Sequence, residues 1–405
     1  MEKDFSCTAN QIKEELSLDS IIELIKDMVA IPSYPGIEAQ ETGVAEYINQ
    51  FFSKEGIPCE IIPVVDGRSN VVARLKGTGG GKTLMLTGHM DTVPPYDMPG
   101  NPLEVECQDQ KLVGRGVVDM KGALACMMSA MVAIKKSGIK LKGDIVFVGV
   151  IDEEEKSEGT LALIKENKVT ADVAIVGEPS QLDICIGHRG LEWFEFYFKG
   201  KTVHGGKQKE GINAITKAMK FIQKVEDELV EKVESNQHPI IGSSSLNYGL
   251  IKGGTQPSTV AGDCILQIDR RWIPGEKYSD VIQEFQNIID QLKSEDPKFH
   301  AEIKVMDVSE MEDGYIHEAM EIDLDHPIIE MVSEASLEVR GIKPKQVPFT
   351  AWSDGGLLCN YANIPTIIYG PGDLESAHSS SEYLEISHII PAAMVYALAS
   401  IKFCG

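Results

Sequence analysis

Leu84-Met-Leu-Thr-Gly-His-Met-Asp-Thr-Val93 is an apolar run that turns polar at His89 and Asp91. Residues 83–88 read as a buried strand, and the polar pair sits where that strand ends. Alternate residues of a strand share a face, so an Asp at i+2 can hold the imidazole of residue i and leave its other nitrogen for a metal. A hydrogen-bonded histidine at a polar strand end is the competing reading. Outward from this run, helix and strand patterns alternate. Residues 18–30 and 39–52 read as amphipathic helices and 70–75 as a strand. Residues 118–136 read as a long helix opened by Asp119, and 144–151 and 172–176 as further buried strands. Such alternation predicts an α/β domain with a mostly parallel sheet flanked by helices.

The texture changes near residue 188. Between residues 191 and 306 the order is β-α-β-β-α-β, the signature of a ferredoxin-like α+β unit. After 307 the α/β pattern returns with a helix at 327–339, a strand at 365–369 and a closing helix at 389–401. The expected organisation is a catalytic domain in two parts, 1–187 and 307–405, interrupted by an inserted domain at 188–306.

Across 405 residues, 38 basic side chains face 62 acidic ones, a formal charge of −24. That excess argues against nucleic acid and anionic membranes as partners. The eight cysteines include no CxxC pair, so reduced thiols and a cytoplasmic setting are expected. Met1-Glu-Lys-Asp-Phe-Ser has no apolar signal core. The longest near-apolar stretch, 389–401, contains Pro391 and falls short of the roughly 20 residues of a membrane span; a soluble protein is expected. Gly77-Thr-Gly-Gly-Gly-Lys82-Thr83 imitates a phosphate-binding loop, but Lys76 stands where that loop needs its first glycine. Lying between two strands, it reads as a hairpin turn.

Further candidates lie in other segments. Asp119, in Gly114-Arg-Gly-Val-Val-Asp-Met-Lys-Gly122, is either a helix cap or a ligand beside glycines that permit close backbone approach. Asp152-Glu-Glu-Glu155 follows a buried strand; it is either a solvated acidic run or a pair of carboxylates in which one binds metal and its neighbour moves protons. Glu178, in Gly177-Glu-Pro-Ser180, follows another strand. His378, in Ser376-Ala-His-Ser-Ser380, follows the strand at 365–369. In an open α/β sheet, ligands bind at the carboxyl ends of strands, so these residues converge on one edge. Two histidines with carboxylates and no thiolate suit zinc, cobalt or manganese, and a carboxylate can bridge paired ions.

Together these segments resemble the metallopeptidase family of acetylornithine deacetylase, succinyl-diaminopimelate desuccinylase, aminoacylase and glutamate carboxypeptidase. The likeness runs from about residue 18 to the C-terminus. It implies two divalent ions bridged by Asp119, with His89 and Glu178 completing one and Glu154 and His378 the other. It makes Asp91 the residue orienting His89, and Glu153 the general base. It implies that the inserted domain is a lid that dimerises. His204, in Lys201-Thr-Val-His-Gly-Gly206, resembles the lid histidine that reaches the partner's site. Arg271, in Asp269-Arg-Arg-Trp-Ile-Pro-Gly275, resembles the arginine that grips a substrate carboxylate. The expected activity is hydrolysis of an N-acyl amino acid, with a short peptide or a non-catalytic metal-binding role as alternatives. Two departures bear on the substrate: Gly205-Gly-Lys-Gln-Lys-Glu210 follows the histidine, where the family commonly has small residues and a Pro, and Glu155-Lys156 follows Glu154, where a small or apolar residue and Gly are common.

Overall fold

Leu84–His89, Ile145–Val150 and Val173–Val176 are buried along their whole length, as strands covered on both faces must be. In the computed structural model, which describes residues 2–168 and 170–405, they form the parallel centre of a nine-stranded sheet. Leu84–His89 pairs in parallel with the other two, and Thr366–Ile368 continues the parallel set beside Val173–Val176. The flanks are antiparallel. Arg68–Leu75 lies against Ile145–Val150, Cys59–Val65 against Arg68–Leu75, and Ile184–His188 against Thr366–Ile368. The sheet is therefore mixed, and only its centre follows the expected parallel pattern. One cause is local: Asp66 and Gly67, both at positive φ, form a two-residue turn that joins Cys59–Val65 to Arg68–Leu75. Such turns force antiparallel pairing.

The glycine-rich segment 76–83 is not a hairpin turn. Ile145–Val150 lies between the two strands it connects, so the segment crosses over the start of that strand. Its glycines serve this close approach: a Cβ on Gly81 would stand 2.2 Å from the Gly143 nitrogen. The Gly77 N–H donates to Asp144 at 2.9 Å.

Helices cover both sheet faces. Gly88 abuts Met120 and Leu124 on one side, where Lys121–Ser137 packs with Ile386–Cys404. Met85, Thr87, Val148 and Val150 point the other way and share a cavity of about 360 Å³ with Leu163, Ile164 and Leu358. The closing helix is longer than the apolar stretch in the sequence. At 19 residues it has the length and composition to cross a membrane, yet twelve of those residues are buried against its neighbours. It has the burial of a core helix.

Two compact units divide the chain: one up to Gly187 with Met320–Phe349 and Ser353–Gly405, the other His188–Ala319 with Thr350–Trp352. In the second unit, four antiparallel strands run in the order Ser245–Gly253, Asp263–Trp272, Gly190–Lys199, Ala301–Val305. Numbered along the chain, that is 2-3-1-4, a split β-α-β arrangement. Along Gly190–Lys199 alternate residues are buried, and Phe194, Phe196 and Phe198 meet Phe221 and Phe285 from the helices Ala214–Val225 and Tyr278–Glu295. Phe221 is fully buried, its ring centroid 4.7 Å from that of Phe196. Phe221→Ala is expected to cost about 3–5 kcal/mol. Chemical denaturation should show the loss, and a change below about 1 kcal/mol would mean the cluster does not carry this unit.

Candidate metal centre

Parallel strands place all their carboxyl ends on one edge of a sheet. His89 is the last residue of its strand, and Asp152 to Glu154 come just after Ile145–Val150. Glu178 lies two residues beyond Val173–Val176, and His378 follows Thr366–Ile368 in the chain. Asp119 approaches from the loop before Lys121–Ser137. Met120, not Asp119, occupies the cap position of that helix, with no side-chain cap bond. The Asp119 carboxylate is directed to two histidines instead. Its Oδ1 lies 2.9 Å from His89 Nε2, and its Oδ2 lies 3.1 Å from His378 Nε2.

Each histidine also faces a carboxylate of its own. Glu178 Oε1 is 3.4 Å from His89 Nε2, and Glu154 Oε1 is 3.0 Å from His378 Nε2. The result is two histidine–carboxylate pairs that meet at Asp119, and the ligand atoms of His89, Asp119 and Glu154 also lie within 4.8 Å of one another. Donors around a tetrahedral cation with ligands at 2.0–2.2 Å stand roughly 3.3–3.6 Å apart, and these separations of 2.9–3.4 Å are close to that spacing. Glu178 Oε1 is buried with no hydrogen-bond partner, an acceptor for which a cation would be the natural complement. Glu153 joins His89 and Glu178 in a group whose ligand atoms all lie within 4.8 Å of one another. The donor set, imidazole and carboxylate, fits divalent ions such as zinc, cobalt or manganese.

The electrostatics agree. Burial lifts the carboxyls of Glu153, Glu154 and Glu178 above their ordinary range, and neighbouring acids add to it. Burial would lift Asp119 too, but hydrogen bonds from His378 and His89 hold it below the usual carboxylate range. Hydrogen bonds to Asp119 and Glu154 raise His378 to about 10. Burial opposes charge on His89, and its bonds to Asp119 and Asp91 overcome that opposition. Buried acids of this density need compensating positive charge. Protons on the imidazoles supply part of it, and metal ions would take their place.

Asp91 reaches further than its histidine. His89 Nδ1 lies 3.0 Å from the Asp91 backbone carbonyl and 3.5 Å from its carboxylate. That carboxylate accepts the N–H groups of Glu153 at 3.3 Å and Glu154 at 3.0 Å, so it holds the acidic turn as well as lying beside the imidazole. Other neighbours are invisible to motif reading. Arg68 pairs with Glu41 and Asp152. Thr160 donates to buried Asp354 at 2.6 Å. Glu382 is fully buried, although Ser379-Ser-Ser-Glu-Tyr383 looks like an exposed loop. The local sequence signal for it is Arg115, set between Gly114 and Gly116.

His204 and Arg271 belong to the second unit. His204 is exposed, and its Nδ1 accepts the Gly206 N–H at 3.1 Å. Arg271 Nε donates to Asp269 at 3.0 Å, and its Nη1 lies 3.5 Å from the Thr350 carbonyl.

Known proteins resemble this chain in sequence and in fold. The chain is 30% identical over 394 residues to the N-formyl-4-amino-5-aminomethyl-2-methylpyrimidine deformylase of Halalkalibacterium halodurans, covering 92% of this chain and 91% of that one. It is 28% identical over 406 residues to the acetylornithine deacetylase of Vibrio campbellii, covering 96% and 100%. Its fold matches that of aminopeptidase PepT from Bacillus cereus with a TM-score of 0.79 at 21% identity, covering 96% and 100%. The model of peptidase family M20/M25/M40 matches residues 85–402, a span that includes all the residues of the candidate centre. With the histidines and carboxylates gathered around Asp119, these likenesses lead to one conclusion: the chain belongs to peptidase family M20/M25/M40 and is a hydrolase of amide bonds.

Proposed function

We propose that this protein is a dinuclear-metal amidohydrolase that removes a short acyl group from the nitrogen of an N-acyl amino acid or a related acylated amine. One observation carries the reading: the two oxygens of Asp119 face different histidines, and each histidine faces a carboxylate of its own. His89, Asp119 and Glu178 would hold one ion; His378, Asp119 and Glu154 would hold the other. Zinc is the first choice, with cobalt or manganese also suited to nitrogen and oxygen donors. Two bound divalent ions supply Lewis acidity, polarising the scissile carbonyl and easing loss of a proton from water. Glu153 takes the proton of the attacking water and returns it to the leaving amine. Asp91 orients His89 and holds the turn that carries Glu153.

In this reading residues 188–306 form a lid that also joins two copies into a homodimer. His204 donates a hydrogen bond to the oxyanion in the partner's site. Arg271 grips a substrate carboxylate with its planar fork. The names of the two relatives describe removal of formyl and acetyl groups from nitrogen, which supports a small acyl group. Short peptides are the second substrate class, supported by the peptidase description of the family. Eight free cysteines support a cytoplasmic location.

Metal-depleted protein, reloaded with zinc, cobalt or manganese, should be assayed on N-formyl, N-acetyl and N-succinyl amines and on dipeptides. Metal-dependent turnover of a small acyl amide is the expected result. Turnover of dipeptides alone would shift the assignment to a peptidase, and none on any substrate would leave a metal-binding protein.

His204→Ala should dimerise, bind metal and lose most of its kcat, about 3–4 kcal/mol of barrier for an oxyanion donor. Mixing it with Glu153→Gln chains tests whose site His204 serves. A mixed dimer then has one site with both residues intact and one lacking both. Subunit exchange should restore up to half of wild-type activity. Verified mixed dimers without recovery would place His204 in its own chain's site or in none.

A further inference from the structure

We infer that Glu382, clamped by Arg115, is a positioning residue for Asp119, so that the single segment 378–382 governs both the second histidine ligand and the shared carboxylate. This rests on the dinuclear reading above. Residues 116–119 form an irregular loop that ends before the helix Lys121–Ser137, and its N–H groups have no strand or helix to satisfy them. Glu382 Oε1 meets three of them, those of Gly116 at 2.9 Å, Val118 at 3.1 Å and Asp119 at 3.3 Å. Its Oε2 lies 2.5 Å from Arg115 Nη1, and Arg115 Nη2 donates to the Ser379 carbonyl at 3.2 Å. Both charged side chains are almost wholly buried. Gly116 completes the arrangement at φ +84°, where a Cβ would stand 2.7 Å from Thr92 Cγ2.

A carboxylate that collects several N–H groups and an arginine makes strong, directional bonds. Buried ion pairs, however, are poor sources of stability; apolar pairs of similar volume often do as well. Geometry gives this pair a better reason to exist. Asp119 must present its two oxygens to two histidines on different segments, His89 at a strand end and His378 in the loop before Tyr383–Glu385, and a loop held only by its glycines would let that carboxylate wander. Such outer partners of a ligand commonly govern metal affinity about 10–100-fold. His378 lies four residues before Glu382, so the same clamp that fixes the Asp119 loop also fixes the histidine facing it.

Glu382→Asp tests this, because it keeps the charge and withdraws the acceptor by one methylene. Zinc and cobalt should be titrated separately into the full-length apo protein against a chromophoric chelator. Circular dichroism should establish that the apo variant is folded, and the cobalt absorption bands should report ligand geometry. The wild-type chain should bind two ions. The variant should bind both about 10–100-fold more weakly, with altered cobalt bands. Wild-type affinities and bands in the folded variant would overturn the role. Should Glu382→Asp not fold, Arg115→Lys reads the same clamp from its cationic side, since it keeps the charge and loses the fork to Ser379. A weaker affinity for both ions is expected there too, and an unchanged one is again contrary. A wild-type stoichiometry of one ion would instead remove the dinuclear reading itself, a separate failure.

Discussion

Glu153→Gln should lower kcat by about 10²–10⁴-fold, or roughly 2.7–5.5 kcal/mol of barrier, while metal content stays at the wild-type level. Gln keeps the size and one carbonyl oxygen of Glu but cannot carry a proton between water and the leaving amine. Glu153 is singled out by its position. It precedes Glu154, whose oxygen faces His378 at 3.0 Å, and its N–H is tied to the Asp91 carboxylate. Its own carboxyl lies in the group with His89 and Glu178, next to the place a polarised water would occupy. Burial and the surrounding acids lift it above the ordinary range of a glutamate, so removing its charge should not destabilise the apo protein. Steady-state kinetics and elemental analysis of one preparation provide the check. Turnover within a few-fold of wild type in a metal-replete variant would assign the proton transfer to another group.

Asp119→Ala should have the larger effect on the metals, removing both ions and with them measurable turnover. One carboxylate lies against both histidines, so its loss deprives both groups of an anionic donor at once. It also leaves buried Glu178 and Glu154 without the geometry that would share a cation with them. His378→Ala should lower the retention of one ion far more than the other, because His89, Asp119 and Glu178 remain. The comparison is made by counting metal per chain after gel filtration in chelator-free buffer. Equal retention in the two variants would show that Asp119 is not the shared ligand. Full retention by Asp119→Ala would place the ions elsewhere.

Much of the candidate site was legible because its residues stand where local patterns change. A run of buried β-branched and apolar residues that ends in His, Glu or Asp marks a strand end, and parallel strands align their ends. Hence His89, the acidic run 152–155 and Glu178 stand out as strand-end candidates, while the choice of Glu154 within that run comes from the family resemblance. Asp119 was legible as a residue but ambiguous in role, because an Asp just before a helix is also a good cap. The tertiary structure puts Met120 at the cap position and turns the two Asp119 oxygens toward His89 and His378.

Local sequence determined which segments are buried, where the strands stop and which side chains stand at their ends, because periodicity and composition record how each residue meets solvent. Neighbours were decided by the tertiary structure. Ile145–Val150 enters between Arg68–Leu75 and Leu84–His89, turning the apparent hairpin at 76–83 into a crossover. The closing helix, apolar enough for a membrane, is buried against Lys121–Ser137 and Pro327–Arg340. Glu382 finds Arg115 and three N–H groups more than 260 residues away in the chain. Such pairings depend on which surfaces meet after collapse, and no window of local sequence contains both partners.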